Sequence, residues 1–170
     1  GEQSKGKVVF FHGGLTVSGE FGNVMRRIFD PETETVFTRM DSGSEAPDRV
    51  ILGFVVRQDR SSMRISSGSE EEMVMGYAGE VHASRSTGQV FRIRLTMDEL
   101  PKGYPIRGAT WDIRYGPVKV EERELLLPVS ATVEAYQEGR FVRTEATYTD
   151  YQRYSSDSSI RFGEQAPSPE

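Results

Sequence analysis

Few residue types in this chain can do covalent or metal chemistry. It has no cysteine, which removes thiolate nucleophiles, zinc-thiolate sites and disulfides. Its two histidines, His12 and His82, are far apart in the sequence, and the carboxylate at a strand-like spacing is Glu80, two residues before His82. Two groups on one strand face fall short of a metal site, so His82 reads as an ordinary polar histidine and no metal is expected. No G-x-S-x-G nucleophile elbow occurs, and His12-Gly13-Gly14 and Ser42-Gly43-Ser44 lack both the P-loop lysine and the dinucleotide-binding spacing, so they read as turns. Glu70-Glu71-Glu72 lacks the alternating ligands and glycine of a calcium loop and reads as a solvated turn. No catalytic residue and no cofactor is therefore assigned; a Ser-His-acid site would have to assemble in three dimensions.

The binding chemistry that remains is aromatic and cationic. Phe91, Trp111, Tyr115, Tyr136, Tyr148, Tyr151 and Tyr154 either line a cavity for a lipid-like ligand or form ordinary core, and the core reading is favoured because one helix stripe can cover the same face. Arg92 and Arg94, with Arg64 and Arg114, are expected on an outer sheet face among carboxylates such as Glu145, where cross-strand charge pairing is the simplest role.

These residues need a sheet to position them, and the sequence has its rhythm. Ala109, Trp111, Ile113 and Tyr115 alternate with Thr110, Asp112 and Arg114, which is the pattern of a half-buried strand. Leu125, Leu127, Val129, Ala131, Val133 and Ala135 alternate across Pro128, which implies an edge, a bulge or a bend. Gln137-Glu138-Gly139-Arg140 turns that strand into Val142, Thr144, Ala146 and Tyr148. Phe91, Ile93, Leu95 and Met97 form a hairpin with Met73, Met75, Tyr77, Gly79 and Val81 through a turn at Ser84 to Gly88. Val50, Leu52, Phe54 and Val56 give another strand, turning at Gln58 to Ser61 toward Met63 and Ile65, and Val36 or Phe37 marks a strand of undetermined face.

One helix is expected. It begins at Ser18 as N-cap, carries Phe21, Val24, Met25, Ile28 and Phe29 on one stripe with Arg26 and Arg27 away from it, and stops before Pro31. Linkers fall at 41–48 and 100–107, and a polar tail with two prolines spans 163–170. The expected fold is mainly β: one domain over 1–162, a curved antiparallel sheet or open barrel meander with the helix packed on its concave face.

At 170 residues one core is the default, and a hydrophobic fraction of 36% suits a sheet with one solvated face. A formal charge of -5 with scattered basic residues disfavours nucleic acid. No stretch reaches the roughly 20 apolar residues of a membrane span. The opening Gly1-Glu2-Gln3-Ser4-Lys5-Gly6 has no signal-peptide core, as a processed chain would also read.

Several segments, in order, resemble a group of exported bacterial proteins: Ser18-Gly19-Glu20-Phe21-Gly22 through Ile28-Phe29-Asp30-Pro31, then Gly79-Glu80-Val81 with Ser86-Thr87-Gly88-Gln89-Val90. Ile113-Arg114-Tyr115-Gly116-Pro117-Val118, Leu126-Leu127-Pro128-Val129 and Thr149-Asp150-Tyr151-Gln152-Arg153-Tyr154 continue the series. The strand, x-T-G turn and returning strand is also similar to the repeated unit of LolA-like periplasmic lipoprotein carriers, which fold helices over the concave face of an unclosed barrel. The chain departs from them in showing one clear helix where carriers have several. The resemblance implies a periplasmic or otherwise exported, non-enzymatic domain sheltering a lipid, a lipoprotein acyl chain or another apolar ligand. The ligand face would be Phe91, Ile93, Trp111, Ile113, Tyr115, Leu127 and Val129. Two alternatives stand beside it: an interaction module with a filled core that docks an envelope protein by an edge or outer face, and a hydrolase whose site forms only on folding.

Overall fold

The computed structural model describes residues 22–40, 47–65, 73–97, 100, 102, 104, 106–137, 139–149 and 151. Expectations placed on His12 to Gly14, Ser18, Phe21, Ser42 to Ser44, Glu70 to Glu72, Tyr154 and the tail lie outside these residues.

The described chain is mostly antiparallel sheet. Helix α1 (Gly22–Phe29) leads through a single 3-10 turn (Pro31–Thr33) to β1 (Val36–Met40), followed by β2 (Arg49–Val56), the short β3 (Arg64–Ile65) and β4 (Met73–Val74), β5 (Tyr77–Ser84), β6 (Val90–Met97), β7 (Ile106–Val120), β8 (Arg123–Gln137) and β9 (Arg140–Thr147). Seven strands form one sheet in the order β1-β2-β5-β6-β7-β8-β9, and β3 pairs with β4 as a separate ribbon inserted between β2 and β5. With β1 and β9 at opposite ends the sheet is open. The sequence expects Met73 to Val81 as one strand; instead it divides, because Met73 and Val74 pair with β3 and the Met75 N–H donates to the Met63 carbonyl at 2.9 Å, before Tyr77 joins β2 and β6.

Turn chemistry sets the register. In the β5–β6 connection Gly88 takes a left-handed φ of 71°, a conformation glycine adopts without steric cost, and its N–H donates to the Ser84 carbonyl at 2.9 Å. Asp48, at the foot of β2, ties this turn down: its carboxylate accepts from the Ser86 N–H at 2.9 Å and the Ser84 hydroxyl at 2.8 Å, and these bonds hold its pKa below the usual carboxylate range. Gly139, at φ 78°, closes the connection between the register partners Gln137 and Arg140.

The core lies on one face. Val56, Tyr77, Val81, Ile93, Leu95, Trp111, Ile113, Tyr115, Ala131, Val133 and Ala135 are buried in one cluster, as the odd-numbered alternation in β7 expects. From α1, Val24 and Ile28 enter the same cluster and Met25 packs against it. The Met25 backbone N–H also hydrogen-bonds the Tyr115 hydroxyl, tying the helix to β7. The expected stripe is narrower than its spacing suggests, because Phe29 is half exposed and stacks on Phe37 of β1 with ring centroids 5.4 Å apart.

Among the described residues three register shifts interrupt the alternation: one at the start of β7, between Ile106 and Gly108, and two bulges that bear on the expected ligand face. On β8, Arg114 faces Ser130 but Tyr115 faces Pro128, so Val129 is the extra residue. Pro128 has no N–H for a ladder bond, which makes this the natural place for the irregularity. The bulge is secured by the Tyr148 N–H, donating to the Val129 carbonyl at 3.1 Å, and by the Tyr151 hydroxyl, donating to the Pro128 carbonyl. Below it the faces exchange: Leu126 packs on the core and Pro128 is buried. Leu127 pairs with Gly116, and Val129 sits 3.2 Å from where a Gly116 Cβ would lie, both on the side away from Tyr115. The second bulge lies between β5 and β6, where His82 faces Arg92 but Ala83 faces Val90, leaving Phe91 as the extra residue and giving Val90 the inward place.

Candidate functional site

The structure separates the residues expected on one apolar face. Ile93, Trp111, Ile113 and Tyr115 come together in the buried cluster with fractional exposures of 0–6%. Phe91, Leu127 and Val129 do not, since the bulges turn all three toward the other face. Tyr136 is also outside the interior: it is 57% exposed and meets Phe141 with ring centroids 5.4 Å apart. Tyr148 is buried and Tyr151 half-buried beside the β8 bulge. Burial pushes the Tyr151 phenol up to about 12 and the Tyr115 and Tyr148 phenols higher still, so all three are neutral at physiological pH.

The outer face collects the polar chemistry, and strand register explains how. His82, Arg92 and Arg114 form one row across β5, β6 and β7, and Glu80, Arg94 and Asp112 form the next. Like charges directly opposite each other, as at Arg92 and Arg114, are unfavourable and need a counter-ion. Asp112 supplies it diagonally: the Arg92 guanidinium donates through Nε at 2.8 Å and through Nη2 to the second carboxylate oxygen, and Arg94 Nε stands 3.9 Å away. This bidentate pair holds the Asp112 pKa below, and the Arg92 pKa above, their ordinary values. Arg143, farther along the face, bridges Glu134 at 3.0 Å and Glu145 at 2.6 Å. Arg92, Arg94 and Arg114 thus lie where the sequence places them, while Arg64 belongs to the separate β3–β4 ribbon.

The β5–β6 bulge builds something that spacing does not reveal. Phe91, displaced outward, lies 6.2 Å from the His82 ring, and the Arg49 guanidinium stacks on Phe91 at 5.3 Å. His82 is 5% exposed, its Nε2 is 3.1 Å from Glu80 Oε2, and its Nδ1 is buried without a hydrogen-bond partner among the described residues. Burial lowers the His82 pKa, outweighing the Glu80 bond, and Arg49 and Arg92 lower it further. The imidazole is therefore neutral near pH 7. The spacing of Glu80 and His82 was the available signal; the parts played by Arg49 and Phe91 depend on the bulge.

A pH prediction follows. Because the folded His82 pKa is depressed, the unfolded chain binds the extra proton first, and stability falls as pH drops from about 6.5, the ordinary histidine value, toward the lower folded value. Urea unfolding midpoints measured from neutral to mildly acidic pH should decline in this window for the wild type. His82→Asn should flatten that decline, and an unchanged pH slope in the variant would contradict the assignment.

Among the described residues no group of three His, Asp or Glu side chains is arranged to hold a metal ion, and no helix is long and apolar enough to cross a membrane. What the face can do is bind: among the described residues, Arg49, Arg94 and Arg114 are not engaged in a close carboxylate pair like that of Arg92 and Asp112. Comparison with known proteins finds no matching family model, no matching curated protein and no matching solved structure.

Proposed function

We propose that the chain is a non-enzymatic interaction domain of the bacterial cell envelope that docks an acidic protein segment on the outer face of its sheet. One observation carries this reading. On a protein of net charge -5, the outer face around the β5–β6 bulge carries Arg49, Arg92, Arg94 and Arg114 against two carboxylates, Glu80 and Asp112. A local positive excess on an acidic protein selects a negative partner by complementarity and steers its approach. The interior supports the same reading, since Ile93, Trp111, Ile113 and Tyr115 are buried in one cluster with Val24 and Ile28 of α1. In this reading α1 covers the concave face of the sheet as a fixed part of the core. The envelope location and the kinship with LolA-like carriers rest on the segment resemblances given above.

The test uses a fluorescent oligo-glutamate peptide. Fluorescence anisotropy should show binding at low ionic strength, weakening with salt, and loss of tenfold or more in affinity for Arg94→Glu/Arg114→Glu, both sites being exposed. Wild-type protein that leaves the peptide free, or a double variant that binds equally, would sink the proposal.

The carrier-like reading is favoured by one other feature. Among the described residues α1 is anchored by two buried side chains, Val24 and Ile28, with Met25, the Tyr115 bond, the Phe29–Phe37 stack and an exposed bond from Arg27 to the Ser62 carbonyl, a hold slight enough for a lid that an acyl chain displaces. Native mass spectrometry of protein purified from cells separates the two: a bound lipid supports the carrier, and bare protein supports the packed domain.

A further inference from the structure

Among the described residues strand β1 ends the sheet, and its side chains are unlike those of the other end. Along Val36-Phe37-Thr38-Arg39-Met40 every residue is exposed, with Val36 at 61%, Phe37 at 40% and Met40 at 41%. β9 presents Arg140, Arg143 and Glu145, the charges that natural edge strands use to discourage pairing. β1 is less protected: it carries one charge, Arg39, and has no proline, no lysine and no bulge against β2. Its exposed residues continue onto Val55, the register partner of Val36, and onto Phe29, stacked on Phe37.

The order of residues in β1 specifies an occupant. A two-fold contact must be self-complementary, so each residue has to suit the one its symmetry mate presents. If β1 pairs antiparallel with another β1 about Thr38, Val36 meets Met40 of the copy, Phe37 meets Arg39, and Thr38 meets Thr38. These are an apolar pair, a cation–π pair and a hydroxyl pair, all favourable across strands. The faces agree as well. Phe37 and Arg39 lie opposite Phe54 and Leu52, on the core side of the sheet, while Val36, Thr38 and Met40 lie opposite Val55, Gly53 and Ile51 on the outer side. We propose that β1 is a homodimer edge, joining two copies of this chain into one continuous antiparallel sheet about a two-fold axis through Thr38.

That axis stands perpendicular to the sheet, so both arginine-bearing faces point the same way. The dimer does not depend on the acidic-partner proposal, although it would present two such faces side by side. A five-residue edge is short, so the pairing is weak and concentration-dependent.

Sedimentation velocity across the micromolar range tests the pairing. Wild-type protein should pass from monomer to dimer with rising concentration. Val36→Lys/Met40→Lys should stay monomeric while keeping its circular dichroism spectrum and thermal midpoint, because both positions are exposed. Val36→Glu/Met40→Glu should do the same, and mixing the two double variants should restore a dimer, since opposite charges then face each other at both pairs of opposed positions. A wild-type protein that remains monomeric, a dimer that survives the lysine pair, or a mixture that fails to associate would each overturn the inference. None of these outcomes bears on peptide binding at Arg94 and Arg114, so the two proposals fail separately.

Discussion

Gly79→Ala should destabilise the fold by about 3 kcal/mol or more, one of the largest losses expected from a single methyl group in this chain. Gly79 sits in β5 opposite Leu95, and a Cβ there would lie 2.0 Å from the Arg94 carbonyl oxygen, 2.7 Å from Leu95 Cα and 2.9 Å from the Arg94 carbonyl carbon. All three are backbone atoms, so no side-chain rotation relieves the overlap and β5 must part from β6. Both are interior strands, and their separation strains the ladders on either side as well. A strand glycine that permits close backbone approach has this signature. Gly108→Ala is the control: a Cβ there meets nothing within 4 Å, so the change should stay within about 0.5 kcal/mol. Urea denaturation followed by circular dichroism measures both. Equal midpoints for the two variants would show that the β5–β6 approach is not as close as described.

Trp111→Ala should cost about 3–5 kcal/mol, the range for removing a large buried aromatic side chain. Trp111 is 2% exposed and lies in β7 between Leu95 of β6 and Val133 of β8, both buried in the same cluster. Against a typical total of about 5–15 kcal/mol, that loss leaves the domain marginal at best. Trp111→Phe keeps most of the volume and should lose clearly less. The wild-type transition can be followed by the emission of this single tryptophan and the variants by circular dichroism. An alanine variant within about 1 kcal/mol of wild type would mean that the site is not tightly packed, and would favour a ligand cavity over a filled core.

The two positions differ in how far they can be read without coordinates. The alternation of Ala109, Trp111, Ile113 and Tyr115 already places Trp111 on a buried face, because successive side chains of a strand point to opposite sides. Gly79 follows the same alternation, but a glycine has no side chain to bury, and the approach of the Arg94 carbonyl is a property of how two strands bend together. The arginines divide in the same way. Arg92, Arg94 and Arg114 fall outward by parity, whereas their shared counter-ion Asp112 is found through a register that also depends on turn geometry.

Period-two patterning was sufficient for a mainly antiparallel β chain, for several of its hairpin turns and for the inward set of β7. Apolar spacings of three and four residues likewise marked a helix with Val24 and Ile28 inward. Parity counting fails at an inserted residue, since one extra position exchanges every face beyond it. Pro128 announced such an irregularity without saying whether it would be an edge, a bend or a bulge; the pairing with β7 and the bonds from Tyr148 and Tyr151 settled a bulge at Val129 and turned Leu127 outward. No proline marks the bulge at Phe91, which arises from the register between β5 and β6, and the assembly of Arg49, Phe91, His82 and Glu80 came with it. Local chemistry writes alternation and turns into a sequence, but register is a relation between distant strands and forms only when they pair.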